Sequence, residues 1–258
     1  MPKLAANLTM LFGEVDFLDR FEAAARAGFR GVEFLFPYAY DAQALKGLLR
    51  EHALVQVLHN LPAGNWAAGE RGIACLPDRV DEFKAGVDQA IGYANTLGCD
   101  QVNCLAGILP PGVDRAAAHD TFVDNLRYAA PRLKAAGVAL LIEPLNTRDV
   151  PGFFLSGTGQ AIEIMDAVGS DNLWLQYDIY HMQIMEGDVA PAIERHLPRI
   201  RHMQLADVPG RHEPGTGEID FGSLLKRIDG TGYAGWIGCE YVPQAGTSAG
   251  LGWAAPYL

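Results

Sequence analysis

Acidic side chains close several apolar stretches in the second half of the chain. LLIEPLN places Glu143 there, LQYDIYH places Asp178, and WIGCEY places Glu240. A carboxylate among apolar residues loses its hydration, so it needs a cation, hydrogen-bond donors or a protonated state. Residues of this kind are candidates for proton transfer or for cation binding.

Gln204, in IRHMQLA, stands at a comparable position in a fourth apolar stretch. Three carboxylates that converge repel one another unless a cation lies among them or some are protonated. Oxygen ligands suit Mg²⁺ or Mn²⁺. The predicted ligands of a divalent cation are therefore Glu143, Asp178, Gln204 and Glu240. The alternative for an isolated acid is a loop cap or an arginine partner, and for Gln204 a buried amide that satisfies backbone groups.

The elements that must position these residues alternate along the whole chain. Eight short apolar or β-branched stretches are separated by amphipathic ones, which predicts βα units and favours a single closed (β/α)₈ TIM barrel over an open doubly wound sheet. No GxGxxG follows the first strand, so we expect no nucleotide cofactor. The predicted strands are 4–8, 31–36, 54–60, 101–106, 138–145, 173–179, 200–206 and 236–241. The predicted helices are one within DFLDRFEAAARAGF, capped by Asp16, and others over 79–97, 115–135, 159–168 and 220–228.

No linker, low-complexity segment or shift of composition interrupts this alternation. We therefore expect one domain over residues 1–258, with residues 242–258 forming an apolar tail after the last strand. In such a barrel the chemistry lies at the C-terminal ends of the strands and in the loops that follow them. The four oxygen-bearing residues stand at these predicted ends.

Composition limits the partners. The net charge is −11, from 31 acidic and 20 basic side chains, and this opposes binding to nucleic acid. No apolar run is long enough to span a bilayer, and the start of the chain lacks the pattern of a secretory signal. The four cysteines form no CxxC pair. We expect a cytoplasmic protein with reduced thiols, and the apolar tail allows a homo-oligomer.

Two loops and two histidines add polar candidates at the rim. The segment 62–78 is far longer than an ordinary βα loop, which predicts either a lid over the site or a structural Ω-loop. It carries Arg71, and the loop after the seventh strand carries Arg211. His59 lies near the end of the third strand, and His181 lies in the loop after the sixth, so both can reach the rim.

Six motifs, spread over essentially the full length, resemble the hydroxypyruvate isomerase family. This family belongs to the xylose-isomerase-like TIM barrels, which also include sugar epimerases and 2-oxo-tetronate isomerases. The motifs are FRGVEFLFPY, LHNLPAGNWAAGERGIACLP, LLIEPLN, QYDIYHMQ, EPGTGEI and WIGCEY. The resemblance implies that Glu143 and Glu240 are paired catalytic carboxylates, and that Asp178 and Gln204 complete the cation ligands. His181 is implied as a polar substrate contact. Related epimerases have a histidine where Gln204 stands, so a weaker cation site is implied.

The implied activity interconverts hydroxypyruvate and 2-hydroxy-3-oxopropanoate (tartronate semialdehyde). One glutamate removes a proton from carbon and a glutamate returns one, through an enediolate. The small hydroxy or oxo acid needs a cationic partner for its carboxylate, for which Arg71 and Arg211 are candidates. The predicted substrate-binding residues are thus His59, Arg71, His181 and Arg211. Alternatives are a 2-oxo-tetronate isomerase, a sugar epimerase, a zinc-dependent repair endonuclease, which the acidic charge opposes, and a non-enzymatic sugar-acid binding protein.

Overall fold

A closed barrel of eight parallel strands, arranged in sequence order, forms the centre of the molecule. The computed structural model describes residues 1–258. The strands are β1 (Lys3–Asn7), β2 (Gly31–Glu33), β3 (Val55–Asn60), β4 (Gln101–Cys104), β5 (Ala139–Ile142), β6 (Leu173–Asp178), β7 (Ile200–Leu205) and β8 (Trp236–Cys239). The predicted (β/α)₈ barrel is confirmed. Several predicted strands were too long at their C-terminal ends, because strand pairing stops where the chain turns into the rim loops.

The helices surround the barrel. The α-helices are α1 (Arg20–Arg26), α2 (Ala42–Glu51), α3 (Val80–Leu97), α4 (Arg115–Ala135), α5 (Thr158–Val168), α6 (Ile179–Met185), α7 (Val189–His196), α8 (Phe221–Gly230) and α9 (Thr247–Gly250). The predictions over 79–97, 115–135, 159–168 and 220–228 are confirmed to within two residues at each end. The predicted cap at Asp16 is wrong, because its side chain makes no capping hydrogen bond and a 3₁₀ turn (Phe17–Asp19) precedes α1.

The barrel interior is apolar at one end and polar at the other. A small cluster of buried side chains fills the end where the strands begin, and two partly buried tryptophans, Trp174 and Trp236, pack against it. The cluster consists of Ala5, Val57, Leu58, Ala139 and Leu141. A separate cluster of 68 buried residues accounts for most of the remaining core. Polar residues are consequently concentrated at the C-terminal rim.

The C-terminal segment is tied to the first βα loop at this rim. The Thr247 hydroxyl accepts a hydrogen bond from the amide of Phe12 at 2.6 Å, and the Glu14 carboxylate accepts one from the Thr247 amide. The segment therefore packs beside the polar end of the barrel. None of the helices combines the length and the apolar character needed to cross a membrane.

Candidate active site

Each of the eight strands places a buried polar side chain within one residue of its C-terminal end. These residues are Asn7, Glu33, Asn60, Asn103, Glu143, Asp178, Gln204 and Glu240, and none is more than 5% exposed. Only the last four were predicted from the sequence as site residues. The first four occupy the same position relative to their own strands, so the same rule, applied to the first half of the chain, would have found them.

Glu143 lies directly after β5 and is held by an amide from the neighbouring strand. Asn103 Nδ2 donates to Glu143 Oε2 at 2.7 Å and to Asn60 Oδ1 at 3.2 Å. Burial raises the pKa of Glu143 well above its ordinary value of 4.5, and the negative charges of Glu240 and Asp178 raise it further. Glu143 can therefore hold a proton at a pH where an exposed glutamate is ionised.

Glu240 lies directly after β8 and has a cationic partner. Arg211 Nη2 is 2.8 Å from Glu240 Oε2, while Asn7 Nδ2 donates to Glu240 Oε1 at 3.4 Å. Burial raises the pKa of Glu240 to about 8, against the opposing effect of Arg211. The two glutamates thus differ in environment: Glu240 contacts an arginine and Glu143 contacts only a neutral amide.

Asp178 ends β6 and begins α6 at the same time. Its Oδ1 accepts hydrogen bonds from the amides of Tyr180 at 2.8 Å and His181 at 3.5 Å, which is the geometry of a helix cap. Its Oδ2 is buried and has no hydrogen-bond partner. The nearest cationic nitrogen to that oxygen is Arg211 Nη2, at 3.6 Å.

His181 lies in the first turn of α6, so its predicted position in a loop is wrong. The short α6 begins directly after β6, because Asp178 serves both elements. The backbone amide of Asn146 donates to His181 Nδ1 at 3.2 Å. Burial lowers the pKa of His181 to about 4, so the ring is neutral at physiological pH. Since Nδ1 accepts, Nε2 carries the proton, and it lies 3.5 Å from Asp178 Oδ2.

The acidic residues fit a divalent cation. Glu143, Asp178 and His181 each present one potential ligand atom, and these atoms lie within 4.8 Å of one another. Three buried carboxylates face one arginine, and one carboxylate oxygen has no donor. His181 is the weaker member, because Nε2 can offer its lone pair only if Nδ1 is protonated, and a protonated Nδ1 would face the Asn146 amide hydrogen. Oxygen ligands from the carboxylates are the better match.

Gln204 is placed in a different network from the one predicted for it. Its Nε2 donates to Glu33 Oε1 at 2.8 Å, and its Oε1 accepts from Gln176 Nε2 at 2.6 Å. Glu33 also accepts from Asn7 at 2.9 Å and from His202 Nε2 at 2.7 Å. The amide oxygen predicted as a cation ligand therefore accepts a hydrogen bond from another glutamine, although Gln204 pairs with Asp178 in the sheet.

His59 does not line the pocket. It is fully buried, neither ring nitrogen has a hydrogen-bond partner, and its ring packs edge-on against Tyr38. Side chains alternate along a strand, so the next residue, Asn60, faces the site and lines it. Of these two neighbours, the structure therefore brings Asn60 and not the predicted His59 to the pocket wall.

Arg211 is positioned by a loop that folds around one buried carboxylate. Asp207, two residues after β7, is fully buried and accepts four hydrogen bonds of 2.9 to 3.1 Å from the loop backbone. The donors are the amides of Val208, Gly215, Gly217 and Ile219. The glycine amides of EPGTGEI thus bind Asp207. The loop holds Arg211 at a φ of 57°, in the left-handed region, with its guanidinium beside the acids.

The rim encloses a pocket of about 140 Å³, smaller than the roughly 300 to 1,000 Å³ of sites for drug-sized ligands. Its walls include Asn60, Trp66, Arg71, Glu143, His181, Arg211 and Glu240. Trp66 and Arg71 come from residues 62–78, hereafter the 62–78 loop, which reaches the pocket edge. The predicted substrate-binding residues Arg71, His181 and Arg211 are therefore brought together with both glutamates.

A parallel barrel with buried carboxylates at its C-terminal rim is the architecture of a TIM-barrel enzyme. Residues 21–257 match the family described as xylose isomerase-like TIM barrel, and the chain belongs to this family. The chain is 55% identical to the hydroxypyruvate isomerase of Escherichia coli (strain K12), and the match covers 100% of both chains. It is 50% identical to the 2-oxo-tetronate isomerase of Cupriavidus necator, over 100% of this chain and 99% of the relative.

A solved structure has almost the same fold. The crystal structure described as AP endonuclease, family 2, from Brucella melitensis superposes with a TM-score of 0.97 at 47% identity, covering 100% of this chain and 99% of that one. The family resemblance predicted from the motifs is confirmed by these relatives, and those named above from E. coli and C. necator are isomerases.

Proposed function

We propose that this protein interconverts hydroxypyruvate and 2-hydroxy-3-oxopropanoate. The observation that carries the proposal is the pair of buried glutamates, Glu143 and Glu240, in one small pocket with two arginines. The relatives that are named isomerases agree with it. In the reaction a proton leaves carbon 3 of hydroxypyruvate, a proton reaches carbon 2, and the hydroxyl proton moves from the oxygen of carbon 3 to that of carbon 2.

The two glutamates divide the proton transfer according to their surroundings. Arg211, 2.8 Å from Glu240, opposes the rise of the Glu240 pKa, so Glu240 is the more easily ionised of the two glutamates and, once ionised, acts as the general base. Glu143 contacts no cation closely and its pKa is raised further, so it holds the proton that is returned to carbon. A carboxylate with a raised pKa is also a stronger base once it is ionised.

The developing enediolate oxygen needs hydrogen-bond donors or a cation. The neutral His181 presents its Nε2 proton to the pocket, and Arg211 adds a positive charge. Glu143 and Asp178, whose ligand atoms lie within 4.8 Å of each other, would hold Mg²⁺ or Mn²⁺, with Glu240 as the carboxylate predicted from the sequence to join them. Such an ion would act as a Lewis acid toward the substrate oxygens. Gln204 donates to Glu33 in this structure, and its part as a cation ligand stays a prediction.

A second substrate has direct support. The chain is 50% identical to a 2-oxo-tetronate isomerase, nearly as close as to the hydroxypyruvate isomerase. The apolar walls of the pocket, which include Met10, Leu35 and Leu105, offer a surface for a longer carbon chain. A comparison of kcat/KM for hydroxypyruvate and for 2-oxo-tetronates, with and without EDTA, assigns the substrate. The cytoplasmic location and a homo-oligomeric assembly stay predictions.

The test is proton exchange at carbon. Incubation with hydroxypyruvate in D₂O is expected to place deuterium on the carbon of the product, observed by NMR. Glu143→Gln and Glu240→Gln should each lower the exchange rate by about 10²- to 10⁴-fold, while Glu194→Gln, a surface glutamate paired with Arg227, should not. A wild-type protein that binds hydroxypyruvate and incorporates no deuterium would be a binding protein rather than an isomerase.

A further inference from the structure

Two arginines line the pocket, and they differ in whether a carboxylate of the protein already neutralises their charge. Arg211 Nη2 lies 2.8 Å from Glu240 Oε2 and 3.6 Å from Asp178 Oδ2. A substrate carboxylate that took Arg211 for itself would remove the partner of these buried acids. Breaking a buried ion pair leaves an uncompensated charge, which is strongly unfavourable.

Arg71 has no carboxylate partner within ion-pair distance. Its Nη1 donates to the carbonyl oxygens of Trp66 at 3.1 Å and Glu70 at 2.7 Å. The neighbouring Glu70 carboxylate is engaged elsewhere: it contacts Arg79 at 2.8 Å and accepts the amide of Asn65. Arg71 therefore brings an unbalanced positive charge to the pocket wall.

The guanidinium of Arg71 is also held in one orientation. Its central carbon lies 4.0 Å from the centre of the Trp66 ring, and the Trp66 ring lies 4.9 Å from that of Phe36. The hydrogen bonds to the two carbonyl oxygens fix Nη1. Nε and Nη2 have no acceptor within the protein. A planar guanidinium held in this way can bind a carboxylate through two parallel hydrogen bonds with little further loss of entropy.

We propose that Arg71 binds the substrate carboxylate, and that Arg211 is the counter-ion of the acids that carry out the chemistry. This inference rests on the proposed function and specifies its substrate class. The substrate must have a free carboxylate next to the carbon that reacts, so a neutral sugar would lack the main contact. Because Arg71 belongs to the 62–78 loop, the contact also joins that loop to the bound substrate.

The test compares a charged ligand with its neutral counterpart. Calorimetry gives the Kd of glycerate and of glyceramide for the wild type, Arg71→Met, Arg71→Lys and Arg79→Gln. Methionine keeps an apolar stem on Trp66 and removes the charge. Arg79→Gln is the matched control, because it removes an arginine that anchors the same loop through Glu70 and has no place in the pocket wall.

Arg71→Met should weaken glycerate binding by about 10- to 100-fold and change glyceramide binding by less than about threefold. Arg71→Lys should recover part of the loss, and Arg79→Gln should change both ligands equally. KM for hydroxypyruvate should rise in parallel with the Kd of glycerate.

Two outcomes separate this inference from the proposed function. Equal weakening of glycerate and glyceramide in Arg71→Met, or no weakening of either, would overturn the role of Arg71 while wild-type turnover of hydroxypyruvate stands. A wild type that neither turns over hydroxypyruvate nor binds glycerate would remove the proposed function itself.

Discussion

Replacing Glu240 with glutamine should change how the stability of the protein depends on pH. Glu240 is fully buried, and burial raises its pKa from 4.5 to about 8. Between these two values the folded protein binds a proton that the unfolded chain releases. A group with a raised folded pKa stabilises the fold fully below its unfolded pKa, and that contribution is lost as the pH rises toward the folded value. The free energy of unfolding should therefore fall from pH 5 to pH 7.

The size of the effect follows from the pKa difference. One pH unit inside this window corresponds to about 1.4 kcal/mol, so the wild type should lose about 2 to 3 kcal/mol between pH 5 and pH 7 through Glu240 alone. Unfolding free energies of domains are about 5 to 15 kcal/mol, so this change is large enough to measure. Glu240→Gln keeps the shape of the side chain and removes the titration.

Urea unfolding at pH 5, 6 and 7 tests this expectation, with EDTA present because a bound cation would keep the carboxylates ionised. The variant should lose less stability than the wild type over this range, whatever its absolute stability at pH 5. The variant also lacks the Glu240 charge that raises the pKa of Glu143, and this too makes its stability less dependent on pH. Equal pH dependence in the two proteins would show that Glu240 is ionised in the folded state throughout, and the assigned environment would be wrong.

Two further predictions concern the residues that support the site. Asp207→Ala removes a buried carboxylate that accepts four backbone amides of its loop, so the free energy of unfolding should fall by about 3 kcal/mol, and Arg211 should lose its position; an unchanged urea midpoint would contradict the role of Asp207. His181 has a pKa lowered to about 4 by burial, so its ring signals in NMR should not shift between pH 5.5 and 8; an imidazole titration at His181 within this range would exclude the neutral donor.

Much of the fold followed from local patterns. The eightfold alternation of apolar and amphipathic stretches determined the barrel, since each stretch reflects only its own burial and period. For helices with long periodic faces, such as α4, the predicted and observed ends agree closely. The short α6 was missed, because its first turn is stabilised by Asp178, a residue that sequence analysis assigned to the rim alone.

The site divided in the same way. The sequence by itself determined that Glu143, Asp178 and Glu240 stand at strand ends, because a charge after an apolar run is visible in one dimension and a barrel brings strand ends together. Only the tertiary structure decided which partner each polar group takes: Gln204 binds Glu33, His59 faces away from the pocket, and Arg211 rather than Arg71 contacts the acids. Such pairings depend on distances between residues far apart in the chain, and a difference of one position along a strand turns a side chain from the pocket to the opposite face.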